Sequence, residues 1–157
     1  LNGERAPFYS PDARAGFFGI SPHTTRAELQ RAVFEGLAFA IVDALQGYPQ
    51  GGELYLTGGG AASATWLQII ADCTGRTVVS SAFNELSARG AAILAARSVA
   101  ALAETPPLAQ TRYQPRPQAH ARYAALYPVY RLLREQMLPV WQARQAALQP
   151  LSQDLQP

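Results

Sequence analysis

A layered α/β domain is predicted for this chain, and three observations predict it. Between residues 15 and 103, β-rich segments alternate with helical ones in the order β-α-β-α-β-α, the pattern of helices packed on a sheet. The first helix carries a start signal and a stop signal of its own. A run of three glycines, Gly58 to Gly60, then joins a strand to a helix, the place where ligands bind in open α/β sheets.

Taken in order, residues 1–13 (LNGERAPFYSPDA) are rich in turn formers and read as an irregular opening segment. Ala15 to Ile20 (AGFFGI) is short, aromatic and bounded by Gly and Pro, which predicts a strand. Thr25 and Glu28 form a capping-box pair. Leu29, Val33, Leu37, Ile41 and Leu45 follow at spacing four, widened by Phe34 and Ala38. They predict a helix of about 22 residues with this stripe buried, closing at Gly47.

Glu53 to Thr57 alternates and predicts a strand. Ala64 to Thr74 predicts a helix carrying Trp66, Leu67, Ile69 and Ile70, stopped by Gly75. Thr77 to Ser81 is β-branched and reads as a strand, and Leu86 to Ala103 is alanine-rich and helical. Four prolines (Pro106, Pro107, Pro115 and Pro117) mark a connector over 105–118. Beyond it, Tyr123, Leu126, Tyr127, Tyr130, Leu133, Met137, Leu138 and Trp141 outline an amphipathic helical region. Pro128 and Pro139 each remove a donor there, so a kink or break is expected near one of them. The chain is expected to fray from about residue 149.

Composition excludes several chemistries. The chain has 157 residues, 48% apolar and 15% charged, with a net charge of +2. All 13 basic residues are arginine, so neither a P-loop lysine nor a lysine Schiff base is available. Cys73 is the single cysteine, which excludes an intrachain disulfide and a cysteine zinc site. His23 and His120 have no second ligand at metal spacing, and no metal ligand is assigned. No apolar run approaches the roughly 18 residues that span a bilayer, so no membrane partner and a cytoplasmic location are expected. Residues 101–157 carry 3 acids and 6 scattered arginines, too weak a basic patch for nucleic acid.

The glycine triplet is the strongest local feature. Glycines let a backbone approach a ligand closely, and the following helix offers free amides and the positive end of its dipole. The dinucleotide fingerprint is not met, because Ser63 stands where its last glycine or alanine belongs. Ligand binding and a plain tight turn both remain open at this point. Elsewhere, Glu4 and Arg5 read either as cleft residues or as a local ion pair. Glu35 reads as a tie from its helix to neighbouring backbone, with a part in chemistry as the alternative, and Glu85 as a favourable charge at a helix start. Trp66 and the tyrosines 123, 127 and 130 read as packing, Cys73 as a buried thiol. His23 and His120 receive no catalytic role.

A resemblance adds to these readings. Ala15 to Glu35 (AGFFGISPHTTRAELQRAVFE) resembles the second signature of the FGGY carbohydrate kinases, with Phe17, Gly19, Ile20, Glu28, Leu29, Ala32, Val33, Phe34 and Glu35 in place. Leu56 to Asp72 (LTGGGAASATWLQIIAD) resembles that family's adenosine-binding motif, and Asn84 to Ala95 (NELSARGAAILA) the segment after it. The similarity covers residues 2–145, and GERAP with the tyrosine-rich tail is closer to the xylulokinase branch than to glycerol kinase. It implies an RNase H-like, actin-like pair of domains closing around MgATP and a sugar or polyol.

On that resemblance residues 1–149 are most of the C-terminal, nucleotide-binding domain, lacking its first strands, with 150–157 a frayed tail. The chain opens at Leu1 without a methionine, which fits a piece of a two-domain enzyme. Gly58, Gly59, Gly60, Ala61 and Ala64 would bind the adenosine part of ATP. Ala64 lies where glycerol kinase has asparagine, and Ala62 where xylulokinases often have arginine, so shape and backbone would do most of the holding. The family's Asp-x-Gly-Thr phosphate loop and aspartate base are absent: none of Asp12, Asp43, Asp72 and Asp154 begins such a loop. The chain alone is therefore expected to be inactive. If Ala15–Ile20 is the third strand of the family's sheet, the middle of that sheet is missing. The chain should then expose strand edges and aggregate, rearrange or recruit another chain, a second copy included. The other reading is a catalytically dead binding or assembly module on the same fold.

Overall fold

A computed structural model describes residues 3–49, 51–81, 85–99 and 108–153, with side chains up to residue 148. Its elements are α1 (Arg26–Ala44), β1 (Leu54–Leu56), a 3-10 turn (Gly59–Ala62), α2 (Ala64–Thr74), β2 (Val78–Ser81), α3 (Leu86–Val99), β3 (Gln110–Tyr113) and α4 (Pro117–Gln153). The α/β class expected from sequence is the one observed. The chain divides into two units, Pro49–His120 and Leu1–Tyr48 with Ala121–Pro157.

In the first of these units the sheet order is β1-β2-β3. β1 runs parallel to β2, with Leu54 opposite Val78 and Leu56 opposite Ser80. A parallel pair cannot be joined by a hairpin, and α2 supplies the crossover. Ser63 caps α2, its Oγ accepting the Trp66 N–H at 3.3 Å. Gly75 ends it in the left-handed conformation at φ +67°, where a residue with a Cβ would be strained. The helix is buried on most sides: Leu67, Ile69, Ile70, Ala71 and Cys73 form the core with Val78 and Val79. Each large aliphatic side chain so buried contributes roughly 1.5–3 kcal/mol.

Two expectations about this unit change. β3 lies inside the stretch read as a proline connector and pairs antiparallel with β2, Val78 opposite Tyr113 and Ser81 opposite Gln110. Its residues QTRY are too few and too polar to show alternation, so the open edge of β2 decides its conformation. α3 is described to Val99, while its expected continuation to Ala103 and Asn84 before it lie outside the described residues.

In the other unit, the capping box at α1 forms as expected. Glu28 Oε2 accepts the Thr25 N–H at 2.8 Å and Thr25 Oγ1 accepts the Glu28 N–H at 3.3 Å. The buried face of α1 differs from the expected stripe. Ala38 and Phe39 are buried, whereas Val33 and Leu37 are each 49% exposed. The cause is α4, whose Tyr123, Tyr127 and Tyr130 rings surround Phe39 at 5.9, 6.0 and 5.2 Å. α4 also runs without a break through Pro128 and Pro139. Both prolines and the residues four before them, Ala124 and Glu135, are exposed, so water can take the carbonyls the prolines leave unbonded.

The expected strand Ala15–Ile20 is not a strand. The segment has no ladder partner among the described residues, and Phe17, Phe18 and Ile20 are exposed, Phe18 at 78%. A strand exists only through the hydrogen bonds of a neighbour, and β-propensity cannot replace one.

Candidate functional site

The five residues expected to bind nucleotide lie on one turn at the C-terminal end of β1. Gly58 leaves the strand at φ +88°, ψ −174°, a conformation open to glycine and strained for other residues. The 3-10 turn closes with Ala61 N–H donating to Gly58 O at 3.0 Å and Ser63 N–H to Gly60 O at 3.2 Å. Ala64 then opens α2. Gly59, Gly60 and Ala64 are exposed, and Gly58 and Ala61 half-buried.

Gly59 and Gly60 are informative because nothing internal requires them. Neither has a positive φ, and a Cβ built on either meets no atom within 4 Å. The fold would tolerate side chains here, yet the sequence leaves bare backbone beside open space. Between Glu53 and Asp72 there is no charged or histidine side chain. The turn therefore offers backbone amides, the hydroxyls of Thr57, Ser63 and Thr65, and the positive end of the α2 dipole. Such a surface can hold a neutral, hydrogen-bonding group. It has no group that could take a proton from a hydroxyl. Among the described residues no three His, Cys, Asp or Glu come together as a metal site.

The other singled-out residues have structural partners. Glu4 Oε1 accepts the backbone N–H of Arg5 at 2.9 Å and of Ala6 at 3.3 Å, which folds the loop locally. Glu35 accepts from Tyr123 Oη at 2.7 Å and from Arg31 Nε at 2.7 Å, tying α1 to α4 through side chains and not through the neighbouring backbone expected from sequence. Burial first and Glu35 second push the Tyr123 phenol up to about 12. Glu85 O accepts the Arg89 N–H at 3.0 Å. Trp66 is half-buried at the start of α2, Cys73 is buried, and His23 is exposed.

Sequence reading missed a charged group inside each unit. Asp72, which begins no phosphate loop in the sequence, is fully buried. Burial raises its pKa, but hydrogen bonds from the Arg116 side chain and backbone and from Gln68 outweigh that and hold the carboxyl below its usual value. Asp43, with no role in sequence, accepts from Tyr127 and pairs with Arg134. An acid at an apolar helix position with an arginine many residues away is the only signal, and spacing alone cannot pair them.

With this geometry in hand, the chain was compared with known proteins. Residues 1–99 match the model of the FGGY family of carbohydrate kinases, C-terminal domain. The chain is 34% identical over 151 residues to xylulose kinase of Escherichia coli (strain K12), covering 89% of this chain and 31% of that protein. It is 36% identical over 149 residues to erythritol kinase of Brucella abortus (strain 2308), covering 88% and 28%. Among solved structures, ligand-bound xylulose kinase from Lactobacillus acidophilus superposes with a TM-score of 0.80 at 25% identity, over 91% of this chain and 31% of that one. The chain thus spans less than a third of the length of each.

Proposed function

The chain belongs to the FGGY family of carbohydrate kinases, as a C-terminal domain with part of the actin-like ATPase fold, and we propose that its glycine turn holds the adenosine of ATP. Within a longer polypeptide, the γ-phosphate of MgATP would pass to a hydroxyl of a sugar or polyol, with xylulose the first candidate. Such a transfer needs a metal, phosphate donors and a base on the nucleophile, and among the described residues no carboxylate or histidine stands at the turn to act as base. Its own part is to bind and orient. Gly59 and Gly60 let the nucleoside lie against backbone, Ala61 and Ala64 line it with methyl groups, and the α2 amides face it. Closing over the substrate would exclude water from the transfer.

The observation that carries this reading is the pair Gly59 and Gly60, which neither conformation nor packing explains. On the same reading residues 1–149 are most of the nucleotide-binding domain, 150–157 are its tail, the isolated chain is inactive, and the whole protein works in the cytoplasm. The test is Gly60→Val in the full-length polypeptide. Its side chain enters open space, so thermal stability should be unchanged, while ADP affinity by calorimetry falls by tenfold or more (about 1.4 kcal/mol per tenfold). Unchanged ADP affinity would sink the assignment of the turn. Absence of nucleotide binding altogether, with capture of a second protein copy, would favour the assembly-module reading.

A further inference from the structure

We propose that Asp72 is a positioning residue for the nucleotide turn, acting through α2; the proposal rests on the reading of that turn just given. Asp72 and Ser63 lie at opposite ends of α2, about 14 Å apart at 1.5 Å per residue. Asp72 Oδ1 accepts the Arg116 backbone N–H at 2.8 Å and the Gln68 amide at 3.0 Å. Its Oδ2 accepts Arg116 Nε at 3.1 Å and the terminal guanidinium nitrogen at 2.5 Å. Gln68 also donates to Gln114 O at 2.9 Å, and Thr77 Oγ1 donates to Gln114 Oε1 at 2.9 Å.

The main chain joins this latch. His120 Nδ1 lies 2.9 Å from Asp72 O, so that nitrogen carries the proton and donates. Gly75 makes room for the imidazole, since a Cβ there would sit 2.6 Å from His120 Cε1. One buried carboxylate and its neighbours thus fasten residues 114–120 across the far end of α2. Around the near end, Gly59, Gly60, Ala62, Ala64 and Thr65 are exposed.

Stability alone gives little reason for such a device. Desolvating a carboxylate is costly, and well-packed apolar residues often stabilise as much or more. What a multiply bonded ion pair supplies is direction. It fixes the rotation and tilt of α2 at one end, and the turn rides on the other. A tilt of roughly 5° would move the turn by about 1 Å, and an error of about 1 Å can cost on the order of 100-fold.

The experiment uses the full-length polypeptide with Asp72→Asn and Arg116→Ala. The readouts are ADP affinity by calorimetry, hydrogen exchange at Gly59–Ala61, thermal stability, and binding of xylulose without nucleotide. Arg116→Ala keeps the Arg116 backbone N–H and the Gln68 amide on Asp72, Arg116→Lys keeps the charge as well, and whichever of the two unfolds within a few degrees of the natural protein supplies the affinity readout. Expected is a loss of roughly 5- to 50-fold in ADP affinity with faster exchange at the turn and unchanged xylulose binding. Arg131→Ala, which removes an exposed pair with Glu135, should change none of these. Unaltered ADP affinity in folded Arg116→Ala overturns the proposal, as do ADP and xylulose affinities that fall together with thermal stability. Gly60→Val separates the two readings: if it weakens ADP and Arg116→Ala does not, the latch is wrong and the turn stands; if neither does, the turn itself is wrong.

Discussion

Asp72 is a residue whose charge survives complete burial because its oxygens meet four donors. A carboxylate with a lowered folded pKa adds stability above its unfolded pKa, and loses that contribution as pH falls through the folded value. The usual value is 3.8 and the folded value lies below it. The stability difference between the natural protein and Asp72→Asn should therefore be constant at neutral pH and shrink below about pH 4. Urea titrations from pH 7 to pH 3 measure it; a difference that grows on acidification would show that the carboxyl is protonated in the fold. Nothing in the local sequence IIADCT announces this role, because the partner Arg116 lies beyond β2, α3 and β3.

At the scale of elements, local chemistry decided most boundaries. Ser63 and Gly75 bound α2 where capping rules place them, and Thr25 with Glu28 opens α1. Gly75→Ala should cost at least about 1–2 kcal/mol from the left-handed backbone alone, and more because the new Cβ meets His120. Denaturant unfolding checks this, and a neutral substitution would mean that residues 114–120 can move aside freely. Elements that need a neighbour were not legible in the same way. Ala15–Ile20 has strand composition without a ladder, whereas the polar QTRY of β3 is a strand because β2 offers it an edge. The α4 prolines predict a kink or break near one of them, but their exposed positions let the helix continue.

For the whole molecule, one unit is filled by the aliphatic core of α2 and β2 and the other by the Phe39 cluster, each with one carboxylate-centred tie, while Phe17, Phe18, Ile20, Val33 and Leu37 stay uncovered in the chain as described. Exposed apolar surface on that scale marks an interaction site or a liability. The 157-residue chain should bind a hydrophobic dye such as ANS more strongly than the full-length polypeptide. Equal dye binding would show that these side chains are exposed in both. Sequence by itself determined the α/β class, the caps, the glycine turn and the family signatures, because each rests on residues within a few positions of one another. Tertiary structure alone decided which face of α1 is buried, that QTRY is a strand and AGFFGI is not, and that Asp72 is held by Arg116. Those outcomes depend on which groups meet across tens of residues. Helical period and β-propensity describe a segment's own preferences, and burial, ladders and ion pairs require the partner.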